Sequence, residues 1–358
     1  MNIRFYVFLL IGGLAGSAAA EPPAKPEILV VGYLPATHDS LLFIAMERGF
    51  FPPQLTVELA KYSSSPDILN DMRSEKVDLG IPGVAAPINF IAGGAPFKIV
   101  GGAAQESAAV VVAPKFQSRF AGPRQSLDSK MKQFAGMRIG SVRQSTGDAL
   151  FRKAIQDHKV GSVDLNDSYR DPKVLLSDLL TDKVDGAVLW SPHMTTAEAQ
   201  GMPVVLWLGE VLPKHVCCRQ VVRARYLAAH EDAVVMYLEG LIRAMAFYNN
   251  PKNHDAVMAA VGKYVLNPPE VLEQELYNQR RTKLSVDINA GGIQAYVDAM
   301  QTFAHLDSTQ LSDVSKSIET APLYRAYKNL LNDDGLARKA VSQGFDSVKE
   351  QLQATLVQ

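Results

Sequence analysis

The 358-residue chain has only two cysteines, and they are neighbours, Cys217 and Cys218. Adjacent cysteines cannot tie distant parts of a chain together, so no disulfide framework holds this fold. In an oxidising compartment they form either a strained vicinal ring or a pair of buried thiols. An excess of one charge is lacking too: 36 Lys and Arg face 37 Asp and Glu, a formal net charge of −1, without a long run of either sign. Bulk attraction to nucleic acid or to an acidic membrane surface is therefore not supported, which leaves room for a local basic pocket. Beyond residue 20 no apolar run is long enough to span a bilayer. The nucleophile elbow G-x-S-x-G, the H-E-x-x-H zinc motif and the phosphate loop G-x-x-x-x-G-K-[ST] are all missing. No carboxylates are spaced as an acid–base pair, so the chain reads as a non-enzyme without a cofactor. With 47% apolar and 20% charged residues, a packed core is expected, and the length suits two domains.

The N-terminus has its own pattern. Arg4 is followed by the apolar stretch Phe5–Leu14, then Ser17-Ala18-Ala19-Ala20 before Glu21. This is the layout of a secretory signal peptide over residues 1–20, with cleavage expected after Ala20. The apolar stretch is shorter than the roughly 20 residues a spanning helix needs. The mature protein is expected in the periplasm of a Gram-negative cell.

What is present is a repeat. Val30–Tyr33, a polar loop at 37–40 and an apolar helix up to Gly49 are answered by Met137–Ser141, a loop at 144–148 and a helix beginning LFRKAI. Gly32 and Gly140 are 108 apart, Pro66 and Pro172 are 106 apart, and the KVD triplets at Lys76 and Lys183 are 107 apart. A near-constant offset over three elements implies two similar α/β lobes with a ligand between them. Lobe I is expected to start at residues 21–113, lobe II to occupy 114–212, and residues 213–358 to return to lobe I. That return begins with a strand Cys217–Tyr226; everything beyond Asp232 reads as helix, with Val234, Val235, Leu238, Leu241, Ile242, Met245 and Tyr248 at helical spacing. Asp39 or Ser40 is the expected cap of the first helix, and Ser65 before Pro66 the cap of the second. Crossings between lobes are expected near Ser107–Pro114 and Trp207–Val216.

The run GYLPATHDSLLFIAMERGFF, from Gly32 to Phe51, resembles the opening of substrate-binding proteins of the nitrate/sulfonate/taurine type, which serve ABC importers. Gly32, Pro35, Arg48, Gly49, Phe50 and Phe51 carry the match. Val77–Gly94, Phe134–Ile155 and Val184–Gly201 extend it, although Gln144 stands where the family commonly has glycine. The resemblance implies an α/β, two-lobed periplasmic binding protein (type II-like). Each lobe would be a mixed sheet flanked by helices, with extra C-terminal helices. It implies a small-molecule ligand of the nitrate, sulfonate or taurine class and an inner-membrane permease with its ATPase as partner, the receptor itself being a monomer. The superfamily also holds thiamine-pyrimidine precursor binders and synthases. Some of those synthases carry a cysteine-rich run near this Cys217-Cys218, but the rest of that run is absent here. A periplasmic sensor that does not transport would use the same fold.

Open α/β sheets bind ligands at the C-terminal ends of their strands, where helix N-termini favour polar or negative groups. That places Ser145, Thr146 and Gly147 at the ligand, or at simple helix caps. His38 and Asp39 hold the equivalent place in the first lobe; a carboxylate there disfavours a dianion and favours a ligand with a hydrogen-donating part. Gly83 and Val84 allow close backbone approach or form a tight turn. Gln105 precedes the first crossing. Trp190 and Ser191 follow a buried strand, where the indole either stacks on ligand or fills core. His193 is a capping or surface residue, or a further contact. Cys217 and Cys218 line the pocket or are plain buried thiols. With His215 they offer metal-capable atoms, but the spacing supplies no fourth donor and no metal is expected.

Overall fold

The computed structural model describes residues 25–356 apart from 123–124, 278–281, 305–307 and 332–337. The proposed signal peptide lies outside the described residues. The repeat is the framework of the fold. In its first copy β1 (Glu27–Tyr33) leads to α1 (Ser40–Arg48), β2 (Leu55–Lys61), α2 (Ser65–Arg73) and β3 (Leu79–Gly80). Strand β1 lies between β2 and β3, parallel to both. Helix α3 (Ala85–Ala92) and strands β4 (Phe97–Gln105) and β5 (Ala108–Val112) follow, then α4 (Leu127–Lys132). The second copy runs β6 (Arg138–Val142), α5 (Thr146–Asp157), β7 (Asp164–Tyr169), α6 (Pro172–Leu180), β8 (Gly186–Trp190). Here β6 lies between β7 and β8, again parallel to both.

The copies share contacts as well as topology. Asp78 accepts a hydrogen bond from the Val30 amide at 3.0 Å, and Asp185 accepts one from the Arg138 amide at 2.9 Å. Tyr62 donates to Asp71 at 2.8 Å, and Tyr169 donates to Asp178 at 2.9 Å. A Cβ on Gly32 would come within 2.9 Å of Ile68, and one on Gly140 within 2.2 Å of Leu175. Gly32 therefore lets α2, and Gly140 lets α6, press against its strand.

The chain continues through α7 (His193–Ala199) and β9 (Val204–Trp207) to β10 (Val216–Arg223) and α8 (Ala224–Ala229). Next come α9 (Glu231–Tyr248), α10 (His254–Gly262), α11 (Pro269–Tyr277), β11 (Lys283–Leu284), α12 (Ala290–Ala304), α13 (Ser308–Lys316), α14 (Ala321–Leu330) and α15 (Arg338–Leu356). One sheet has the order β11-β4-β10-β3-β1-β2 and the other β7-β6-β8-β5-β9. Both mix parallel and antiparallel pairs. Helix α9 packs on α1 and α14 and buries Val234, Val235, Leu238, Leu241 and Ile242, each worth about 1.5–3 kcal/mol.

Several local expectations change. Ala108–Val112, assigned by the sequence reading to the first lobe's run, pairs with β8 and β9 in the second sheet. The first crossing is thus only Glu106 and Ser107, with φ of 58° and 68°. The returning strand stops at Arg223 and α8 begins at Ala224, and β11 interrupts the helices beyond Asp232. Ser64, not Ser65, caps α2, accepting from the Asp67 amide. Asp39 caps no helix through its side chain; its carboxylate accepts from the Leu34 amide at 2.8 Å.

Candidate functional site

The two crossings are laced together. The Glu106 amide donates to the His215 carbonyl at 3.0 Å, and the Lys214 amide donates to the Glu106 carboxylate at 3.1 Å. The lobes meet around a small cavity of about 30 Å³. The first sheet and its helices line it with Leu34, His38, Ser65, Gly83, Cys217 and Cys218. The second contributes Ala108, Ser145, Thr146, Gly147 and Trp190. A water needs some 10–15 Å³ on the same measure, so the space suits about two waters. A second cavity of about 280 Å³ adjoins it, sharing Leu34 and Trp190 and adding Lys61, Tyr62, Asp171, Lys173 and His193. This is a closed cleft with a narrow inner chamber and a wider mouth.

Direct contacts hold it shut. Thr146 Oγ1 donates to the Cys217 carbonyl at 3.4 Å, and Asn267 donates to Thr196 at 3.0 Å. The fully buried Tyr296 of α12 donates its hydroxyl to the Thr146 carbonyl at 2.7 Å. Gly83 sits so near the other lobe that a Cβ there would lie 2.8 Å from Thr146 Oγ1.

Helix starts converge on the chamber. Residues at or just before the N-termini of α1, α2, α3 and α5, helices of 9, 9, 8 and 12 residues, line it. The aligned peptide dipoles give each such end a partial positive charge of roughly half an electron, although several of its amides are already bonded. Ser145 caps α5, accepting from the Asp148 amide at 3.1 Å, and Ser65 accepts from the Gly83 amide at 2.9 Å. Gln144, in the place of the common glycine, takes φ of 58°, the left-handed conformation glycine adopts freely.

His38 is 2% exposed, lines the chamber, and finds no hydrogen-bond partner for either ring nitrogen among the described residues. Its Nε2 is 3.4 Å from Asp39 Oδ1, which is itself unpartnered. Burial, reinforced by His193, pushes the imidazole down to about 3, and burial raises the Asp39 carboxyl well above its usual range. Both shifts disfavour charge here, and a neutral His38 offers the chamber one ring N–H and one ring acceptor, with Asp39 behind it. Among the described residues lining the chamber none is Lys, Arg, Asp or Glu; the charges lie at the mouth.

Eight of the thirteen sequence candidates line the inner chamber: His38, Gly83, Ser145, Thr146, Gly147, Trp190, Cys217 and Cys218. His193 lines the mouth and opens α7. Asp39, Val84 and Ser191 are buried behind the wall, and Gln105 ends β4 paired with Val216 and Lys283. Leu34, Ser65 and Ala108 were missed. Ser65 had a signal, since it opens the helix after β2, but Leu34 and Ala108 are apolar residues that only the pairing of lobes turns into a wall. No three His, Cys, Asp or Glu side chains among the described residues gather as a metal site.

The sequence model of the NMT1-like family matches residues 22–262. This chain belongs to the NMT1-like family. No curated protein matches it in sequence. Its fold is that of the periplasmic binding proteins. The periplasmic nitrate-binding protein of Synechocystis PCC 6803 is similar with a TM-score of 0.72 at 14% identity, over 90% of this chain and 99% of that one. The zinc-bound ligand-binding component of an ABC-type import system from Staphylococcus aureus gives 0.69 at 17%, over 84% and 99%. The alkanesulfonate-binding protein of Xanthomonas axonopodis pv. citri, bound to MOPS, gives 0.68 at 19%, over 83% and 99%. Identities this low establish the NMT1-like chain's fold and leave its solute to be argued from the cleft.

Proposed function

We propose that this protein is the exported, monomeric solute-binding component of an ABC importer, holding one small polar solute between its lobes and presenting the closed form to a membrane permease with its ATPase. The observation that carries this reading is the inner chamber: residues of both lobes converge on it, helix N-termini face it, and a buried histidine waits there with unpartnered nitrogens. The uncharged donor set fits a solute whose inner end carries acceptor oxygens or ring nitrogens, neutral or singly negative. A dianion fits poorly, because no cationic side chain among the described residues reaches the chamber. Lys61 and Lys173 at the mouth, with Asp171 beside them, receive the rest of the solute. The protein binds without converting what it binds.

A thermal-shift screen over nitrate, alkylsulfonates, taurine, aromatic acids and pyrimidines tests this. A solute at a hundred times its Kd adds about 2.7 kcal/mol of stability. The hit should compact the protein in X-ray scattering, as lobe closure requires, and uptake of the same solute should fail when the gene is deleted. A rigid particle that no panel compound stabilises or compacts would overturn the proposal.

A further inference from the structure

In a regular strand adjacent side chains point to opposite faces, so neighbouring cysteines in β10 should be kept apart by the sheet. They are not. The pairing of β10 with β4 slips between Val216 and Cys218 and again between Cys218 and Arg219. At this irregularity both cysteines line the inner chamber, with their sulfurs 3.3 Å apart and unbonded. The backbone around them is pinned: the Val84 amide donates to the Cys217 carbonyl at 2.6 Å, and the Arg219 amide donates to the Pro82 carbonyl at 3.1 Å.

The surroundings suit a thiolate. The Ser107 hydroxyl points at Cys217 Sγ from 3.8 Å. Arg219 follows directly, fully buried, with one nitrogen donating to the Ala104 and Cys218 carbonyls. Its Nε and Nη2 have no hydrogen-bond partner among the described residues. A buried guanidinium without a counterion is costly. The groups that act on it electrostatically are Cys218, Cys217 and Asp287. The hydrogen bond from Cys218, together with Ser107 and Arg219, lowers the Cys217 thiol, while burial raises Cys218. The pair is thus polarised into an attacking and a resolving sulfur.

We propose that Cys217 and Cys218 form a thiol–disulfide site in the wall of the solute cleft, oxidised by small-molecule or protein disulfides when the lobes are open. The Cys217 thiolate attacks one sulfur of the incoming disulfide, forming a mixed disulfide and releasing one thiolate. Cys218 then loses its proton and attacks Cys217 Sγ, expelling the second thiolate. Two electrons and two protons leave the protein, and the incoming disulfide becomes two thiols. Bond formation draws the sulfurs from 3.3 Å to about 2.05 Å and removes both S–H donors from the chamber, so oxidation state and solute affinity are linked. Access rests on the opening and closing of the cleft, because the closed chamber of about 30 Å³ admits no disulfide reagent.

The test uses the reduced, folded mature protein, oxidised glutathione and intact-mass measurement, with no solute. The wild type should lose about 2 Da, the mass of two hydrogens. Cys218→Ser should stop as a single glutathione adduct, and Cys217→Ser should react at least about tenfold more slowly. Ser107→Ala, which removes only a hydroxyl, should slow the reaction and leave the circular dichroism spectrum unchanged. A folded wild type that keeps both thiols while the urea-unfolded chain oxidises would overturn the site, as would equal rates in the two single cysteine variants. Mass alone is read, so failure here is distinguishable from failure of the transport reading.

Discussion

Gly83→Ala should wedge the cleft open while leaving each lobe intact. The backbone at Gly83 lies outside the left-handed region, so alanine suits its conformation. The added methyl group meets Thr146 Oγ1 at 2.8 Å across the cleft, and its next neighbours, Ser65 Oγ at 3.6 Å and the Thr146 amide at 3.8 Å, are ordinary contacts. The collision therefore exists only in the closed form. Overpacking of this kind costs about 1–3 kcal/mol. Where binding requires closure, that cost weakens affinity by about 5- to 150-fold. Titration calorimetry with the hit from the solute screen measures it, and scattering should show a larger radius at equal solute saturation. Thr146→Ala removes the clashing oxygen at the expense of its 3.4 Å bond to Cys217, so Gly83→Ala/Thr146→Ala should bind more tightly than Gly83→Ala alone. Wild-type affinity and compaction in Gly83→Ala would refute the closed-cleft geometry.

Trp190→Ala removes the wall shared by chamber and mouth, and calorimetry should find affinity reduced about tenfold or more. Gly102→Ala would set a Cβ 2.1 Å from the Asp287 carbonyl oxygen; backbone cannot rotate away, so urea unfolding should show a loss of about 3 kcal/mol or more. His215 is buried with Nε2 unpartnered, and burial lowers it from 6.5 to about 4. The unfolded chain takes up this proton first as pH falls below 6.5, so its contribution to stability declines between pH 6.5 and 4 and then levels off. By pH 5 the loss is about 2 kcal/mol. The stability difference between wild type and His215→Gln, measured by urea unfolding at pH 7.5 and pH 5, should shift by that amount in favour of the variant.

The β-α-β-α-β repeat was readable in the sequence because each of its marks is a local physical demand. Gly32 and Gly140 must lack a Cβ where a helix presses on a strand, Pro66 and Pro172 suit a helix's first turn, and Asp78 and Asp185 bind the amide of a neighbouring strand. Gly49 ending α1 at φ of 63° is equally local. Most of the chamber's polar wall was legible for the same reason, since strand–loop–helix turns advertise themselves through Ser, Thr and Gly.

What the tertiary structure alone decided is non-local. Ala108–Val112 is an apolar run that suits either sheet, and only its partners β8 and β9 assign it to the second. Asp39 carries a cap residue's identity, but its carboxylate is taken by the Leu34 amide. Leu34 and Ala108 become chamber walls only where the two lobes meet. Strand alternation places Cys217 and Cys218 on opposite faces; the slip in register against β4 brings their sulfurs together. Sequence periodicity records the conformation of a segment, whereas a cleft is made by surfaces that meet from segments a hundred residues apart, and that meeting leaves no periodic trace.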